Sequence, residues 1–237
     1  MAKEVAVEEI YAYNIEWYYN HLNKIQLYLN CTVKSIDPKN QKITLTDRSN
    51  FPYDKLLFAT GCSGVLPPID GINTTEGVFT LRSVDDVTTI TRRATGAKTV
   101  TLIGGGLLGL EAGNGLRTLG TSVTIVEIFD RLLPRQLDAE GAALLQKQME
   151  SMGLKFLLGA KTKAIRDNGH TKILELNDGK VIESNFILVS AGIKPNITLA
   201  QAIGISMNKG ILANDRMETN IPNVYAAGDV AEHKGRG

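Results

Sequence analysis

Apolar residues along this chain fall into two rhythms. Most come in runs of three to five separated by turn-forming residues, and a few stretches repeat them at helical spacing. In residues 7–23 apolar groups stand at Ile10, Tyr13, Trp17 and Leu22 with polar groups between, which predicts an amphipathic helix whose aromatic side is covered. Tyr11, Tyr13, Trp17, Tyr18 and Tyr19 could also form a stacking platform. A packed face is the preferred reading, because aromatic rings bury large areas, and a ring left exposed there would point to a missing neighbouring segment.

From Ile25 the period shifts toward two. Ile25–Leu29, Thr32–Ile36, Lys42–Leu45 and Lys55–Ala59 read as short strands, with turn chemistry at Asp37–Asn40 and Asp47–Asn50. Pro67, Pro68, Gly71 and Asn73–Gly77 break any regular element, so the chain is expected to cross between domains there. Ser83 and Asp86 then predict a capping box opening a helix that ends near Ala94. A second helix is predicted over Ala139–Met152, closed by Gly153. Strands follow at Lys155–Leu158, Thr162–Arg166, Lys172–Leu176 and Val181–Ile182, with hairpin turns at Asp167–Gly169 and Asn177–Gly179. Phe186–Ser190 is apolar almost throughout, as a buried parallel strand requires. A short strand is expected before Gly228-Asp229.

The stretch that organises the rest is Gly104-Gly105-Gly106-Leu107-Leu108-Gly109. It follows the apolar run Thr99–Ile103, opens a helix over Leu107–Leu119, and is followed by the run Val123–Val126, which ends in Glu127. That order is a strand, turn, helix and strand of the kind that holds a dinucleotide. Gly104 permits the tight turn, Gly106 lets a pyrophosphate approach the backbone, and Gly109 lets the helix pack closely on the strands. The phosphates would meet the free N–H groups and positive dipole end of the helix. Glu127 lies eighteen residues past Gly109, where its carboxylate could accept hydrogen bonds from the adenosine ribose and repel a 2′-phosphate. NAD is therefore expected as a cofactor, with NADH favoured over NADPH. The alternative is a glycine-rich turn without ligand, which three consecutive glycines make costly in backbone entropy.

Composition adds mainly exclusions. The chain has 237 residues, 43% apolar and 22% charged, with a formal net charge of +1. Interspersed signs give no reason to expect nucleic acid or an anionic membrane as partner. No apolar run approaches a membrane span and the start resembles no signal peptide, so a cytoplasmic protein is expected. Cys31 and Cys62 form no C-x-x-C pair, and the three histidines are scattered, so no metal site is expected.

Four separated motifs agree with one family. Ala59-Thr60-Gly61, Gly104–Glu111, Ala191–Asn196 and Thr219–Asp229 resemble, in order and spacing, the two-dinucleotide flavoprotein reductases of the pyridine nucleotide-disulfide oxidoreductase family. The resemblance covers about Trp17 to Glu232. It implies an α/β fold in which a Rossmann-like NAD-binding domain, residues 81–199, is inserted into a truncated FAD-binding domain, residues 1–80 and 200–237. It also implies FAD as a cofactor. Asp229 would bond the ribitol chain, Thr60 and Gly61 would sit beside the flavin, and Arg82 would be a weaker FAD contact. Gly192 would lie beside the dinucleotide at the strand ends, and Glu111 would face the flavin and nicotinamide as the catalytic candidate. Blander accounts remain for two of these: a helix-dipole partner for Glu111 and a turn residue for Asp229.

Within the family, Trp17-Tyr18, Arg135–Asp138 and Gly228–Glu232 look most like the N-terminal region of NAD(P)H nitrite reductase large subunits, and like the related NADH oxidases and rubredoxin reductases. The sequence departs from the family in having no glycine unit before Trp17 and no C-terminal interface domain, so it reads as the middle of a longer protein. Cys31 and Cys62 are accordingly read as small buried hydrophobes rather than a redox pair. Two functions remain open beside a structural or interaction fragment with no ligand, which failure to bind NADH would support. One is an oxidoreductase passing hydride from NADH to flavin and on to an acceptor, which could be a nitrite-reducing centre, a small redox protein or a small molecule. The other is an NAD(H)-binding module without activity of its own. A homodimer is an oligomeric state that the resemblance allows.

Overall fold

The computed structural model describes residues 7–21 and 24–235. Two compact units are found, a larger one containing Gly64–Gly192 and a smaller one made of Glu8–Ser63 and Ile193–Gly237.

The larger unit is built on five parallel strands in the spatial order Val78–Thr80, Phe186–Val189, Thr99–Ile103, Ser122–Val126, Lys155–Leu157. Alternate residues on the three central strands point to opposite faces, and the sequence fills both faces with apolar groups. Val100, Leu102, Val123, Ile125, Phe186 and Leu188 join one core with Ile90 and Leu116 of the helices. Ile103, Val126, Ile187 and Val189 join a second core with Ile165 and Leu174. Those last two belong to an antiparallel sheet of Thr162–Asp167, Lys172–Leu176 and Val181–Ser184. Its hairpin glycines, Gly169 and Gly179, take φ values of +87° and +85°. Helices are on one face of the parallel sheet and the hairpins on the other.

Local signals set the helix ends, at Ser83–Asp86 and Gly153 as expected and at Asp138 without having been expected. Ser83 and Asp86 close a reciprocal capping box on the Val84–Ala94 helix. Asp138 caps the Ala139–Ser151 helix by accepting from the Gly141 N–H at 2.8 Å. Gly153 follows that helix at φ +100°.

In the smaller unit Val33–Asp37, Lys42–Leu45 and Asn50–Pro52 form an antiparallel sheet. Leu56–Phe58 pairs in parallel with Val224–Ala226, around a core that includes Phe58, Ile211, Val224 and Val230. The strand at Asn50–Pro52 extends the chain beyond the turn predicted at Asp47–Asn50. It is the edge strand of its sheet, where Pro52 is tolerated.

Four expectations are corrected. The helix predicted over residues 7–23 is two short helices, Val7–Ile10 and Ile15–Asn20. Asn14 interrupts it by turning its side chain to cap the second helix, accepting from the Trp17 N–H at 2.9 Å. The aromatic face is not covered: Tyr11, Tyr13 and Tyr19 are more than half exposed. Trp17 instead stacks between Tyr13 and His21; Leu22 lies outside the described residues. Ile25–Leu29 forms no strand, and Leu27, Tyr28 and Leu29 are exposed. Cys31 is exposed, whereas Cys62 is buried as expected.

Candidate functional site

Strand register places the first group of candidate residues. Ile103 pairs with Val126 on one side and Val189 on the other. Gly104, Glu127 and Ser190 therefore leave three neighbouring strand ends together, at the edge where α/β sheets take ligands.

The glycines of the loop differ in what they do there. Gly104 has φ +111°, and a Cβ on it would fall 2.2 Å from the Ser190 carbonyl oxygen. Gly109 is buried, and a Cβ there would fall 2.2 Å from the Gly104 carbonyl oxygen and 3.2 Å from Leu102. Both positions are thus closed to side chains by the fold itself. Gly105 is hemmed in at 3.0 Å by Leu132 and 3.1 Å by Glu127. Gly106 is different: a Cβ built on it meets nothing within 4 Å. It is the N-cap of the Leu107–Thr118 helix and offers no side-chain hydrogen bond to it. The first N–H groups of a helix have no intrahelical partner, so this end presents backbone donors over an unfilled space, which fits a dinucleotide pyrophosphate.

Glu127 sits against the same loop, only 6% exposed. One carboxylate oxygen accepts from the Gly105 N–H at 2.6 Å and the other from the Phe129 N–H at 2.9 Å. Each oxygen keeps a further lone pair, so the group can still accept from ribose hydroxyls. A cavity of about 580 Å³ opens beside it, lined in part by Gly104, Gly106, Glu127 and Gly192. Phe129, Arg135, Gln136 and Lys161 also line it. Arg135 and Gln136 belong to the Arg135–Asp138 stretch that carried the resemblance but was given no role at the site, and Phe129 and Lys161 stand in loops without characteristic spacing, so motif reading missed them. Leu107, Leu108 and Glu111 are exposed at the start of the loop helix. Arg82 is exposed just before the Val84–Ala94 helix, and its N–H donates to Asp86 at 2.9 Å.

The smaller unit gathers a second group. Thr60 and Gly61 follow the Leu56–Phe58 strand, with Gly61 at φ +62° and open space where its Cβ would be. The buried Cys62 thiol donates to the Asp229 carboxylate at 3.4 Å, which draws Asp229 to the same strand end. Asp229, 168 residues beyond Gly61 along the chain, thereby stands beside the Thr60-Gly61 turn. An open glycine turn beside a carboxylate fits the polar chain of a flavin cofactor. Among the described residues no group of three or more His, Cys, Asp or Glu could hold a metal, and no helix is long and apolar enough to cross a membrane.

Comparison with known proteins bears on this arrangement. The family model for pyridine nucleotide-disulphide oxidoreductases matches residues 2–236. The NAD(P)H nitrite reductase of Bacillus subtilis (strain 168) is 41% identical over 221 residues, which is 93% of this chain and 27% of that protein. The assimilatory nitrate reductase electron transfer subunit of the same organism is 38% identical over 232 residues, 98% of this chain and 30% of that protein. Among solved structures, the covalent putidaredoxin reductase–putidaredoxin complex superposes with a TM-score of 0.90 over 98% of this chain and 56% of that one. At 24% identity that likeness concerns the fold alone. The chain spans less than a third of the two curated relatives.

Proposed function

The chain belongs to the pyridine nucleotide-disulphide oxidoreductase family, and from that membership we propose that it is the dinucleotide-handling part of an FAD-dependent NAD(P)H oxidoreductase. Its α/β architecture is that of the two-dinucleotide-binding flavoprotein reductases. In this reading the larger unit holds NADH and the smaller unit contributes to holding FAD. When bound, NADH supplies a hydride and the flavin accepts it. The residues of the chain bind and orient. The N–H groups at the start of the Leu107–Thr118 helix hold the pyrophosphate, and Glu127 holds the adenosine ribose and disfavours a 2′-phosphate. Glu111 orders the nicotinamide end with Gly192 alongside, while Thr60, Gly61 and Asp229 hold the flavin and Arg82 is an outer contact.

One observation carries the proposal: Gly106 is the loop glycine that the protein's own packing does not require. The space over it, at an uncapped helix end, is accounted for by a ligand. The similarity to a nitrite reductase and to a nitrate reductase electron transfer subunit supports an acceptor in nitrogen-oxyanion reduction; a small redox protein or small molecule is the other class. A cytoplasmic location and a homodimer go with this reading. The short span of the chain relative to its relatives favours a second reading, in which this piece binds NAD(H) and depends on further residues for turnover.

Visible absorption of the purified chain, before and after anaerobic NADH, separates the two. Flavin bands that bleach with NADH support the reductase. A colourless chain that still binds NADH leaves the binding piece.

A further inference from the structure

The motif Ala191–Asn196 ends in a residue that the proposed function leaves without a task. Asn196 is exposed, yet all four of its polar groups are spent on one short segment, residues 60–63. Its backbone N–H donates to the Gly61 carbonyl at 2.9 Å. Its side-chain amide donates to the Thr60 carbonyl at 2.9 Å. Its backbone carbonyl accepts from the Thr60 hydroxyl at 2.9 Å, and its side-chain oxygen accepts from the Ser63 hydroxyl at 2.8 Å. The two segments are more than 130 residues apart in sequence, so no local propensity brings them together.

Thr60, Ser63 and Asn196 are all exposed and Gly61 is only half-buried. No apolar packing of Thr60 or Asn196 therefore fixes the turn, and Gly61 at φ +62° takes a conformation with many alternatives for glycine. Pairing of Cys62–Gly64 with Ile193–Pro195 brings the two segments side by side, and the Asn196 hydrogen bonds hold Gly61 in one of those conformations. Only an asparagine side chain offers a donor to Thr60 and an acceptor to Ser63 from the same short arm.

We infer that Asn196 is a positioning residue for the flavin: it holds the Thr60–Gly61 turn in the single conformation that the cofactor meets. The inference rests on the FAD reading of the smaller unit. It concerns residues of this chain only and requires no contact between Asn196 and the flavin.

The test uses the whole chain supplied with FAD, unaltered and as Asn196→Ala and Asn196→Asp. Alanine removes both side-chain bonds; aspartate keeps the acceptor for Ser63 and sets a carboxylate oxygen against the Thr60 carbonyl. Two net hydrogen bonds correspond to a change of about tenfold or more. Amide hydrogen exchange at position 196, read without cofactor, should quicken by about that factor in both variants. FAD should dissociate about tenfold more readily, with altered visible band shape and a shifted flavin midpoint potential. Because the side chain is exposed, both variants should fold. Unchanged exchange at position 196, or faster exchange with band shape and potential unaltered, would overturn the positioning role alone. If added FAD gives only the spectrum of free flavin in the unaltered chain, the FAD reading falls and takes this inference with it.

Discussion

The Glu127 carboxylate accepts a hydrogen bond from the Gly105 N–H at 2.6 Å, in a pocket where Glu127 is 6% exposed. The acid at the end of the second strand is thus part of the glycine loop as well as a group facing the cavity. Glu127→Arg should raise the ratio of NADPH to NADH affinity, by removing a repulsion and adding a phosphate partner. It should also lower stability by about 1–3 kcal/mol, because the Gly105 and Phe129 N–H groups lose their acceptor. Titration of both coenzymes, with melting of the same variant, checks the two effects together. An unchanged affinity ratio would count against Glu127 as the ribose ligand.

Gly106 and Gly109 should respond oppositely to a side chain. Gly106→Val projects into open space and gives up only the preference for glycine at an N-cap, so stability should fall by about 1 kcal/mol or less while NADH binding is abolished. Gly109→Ala forces a Cβ onto the Gly104 carbonyl and should cost about 1–3 kcal/mol, felt in melting before any ligand is added. A folded Gly106→Val chain that binds NADH normally would refute the placement of the pyrophosphate.

Acid should loosen the smaller unit through Glu232. This side chain is 4% exposed and accepts from the Gly210 N–H at 3.0 Å, the Lys209 N–H at 2.8 Å and the Asn208 amide at 2.9 Å. Those bonds, the Gly210 N–H foremost, hold its pKa below the ordinary 4.5. A carboxylate depressed in the folded state stabilises fully above its unfolded value, and that contribution is lost as pH falls through the folded value. Melting temperature should therefore fall as pH drops below 4.5, and Glu232→Gln should flatten that part of the curve. Parallel curves for the two chains would show that other groups carry the acid response.

Asp86 accepts from the N–H groups of Ser83 at 2.8 Å and Arg82 at 2.9 Å. Asp86→Ala should cost about 1 kcal/mol by opening the capping box, with no change in the ratio of NADH to NADPH affinity. Melting and the two titrations read the separate parts of that expectation.

The sequence by itself determined what short-range physics controls. The Ser83–Asp86 box, the Asp138 cap and the hairpin glycines act over two to four residues, so the chemistry of a short stretch suffices. The strand, glycine turn, helix and second strand around Gly104 were legible for the same reason, and the apolar run Phe186–Val189 announced a strand buried on both faces. Short-range reasoning failed where two local signals competed. At residues 7–23 apolar spacing argued for one helix, and the capping tendency of Asn14 cut it in two. Only tertiary structure decided which distant groups meet. Register beside Val126 and Val189 sets Gly104 against Ser190 and turns Glu127 onto Gly105. The closure of the smaller unit brings Asn196 to Thr60 and Cys62 to Asp229. These pairings depend on how whole strands align, and an alignment is settled by the burial of entire faces, which no single motif along the chain records.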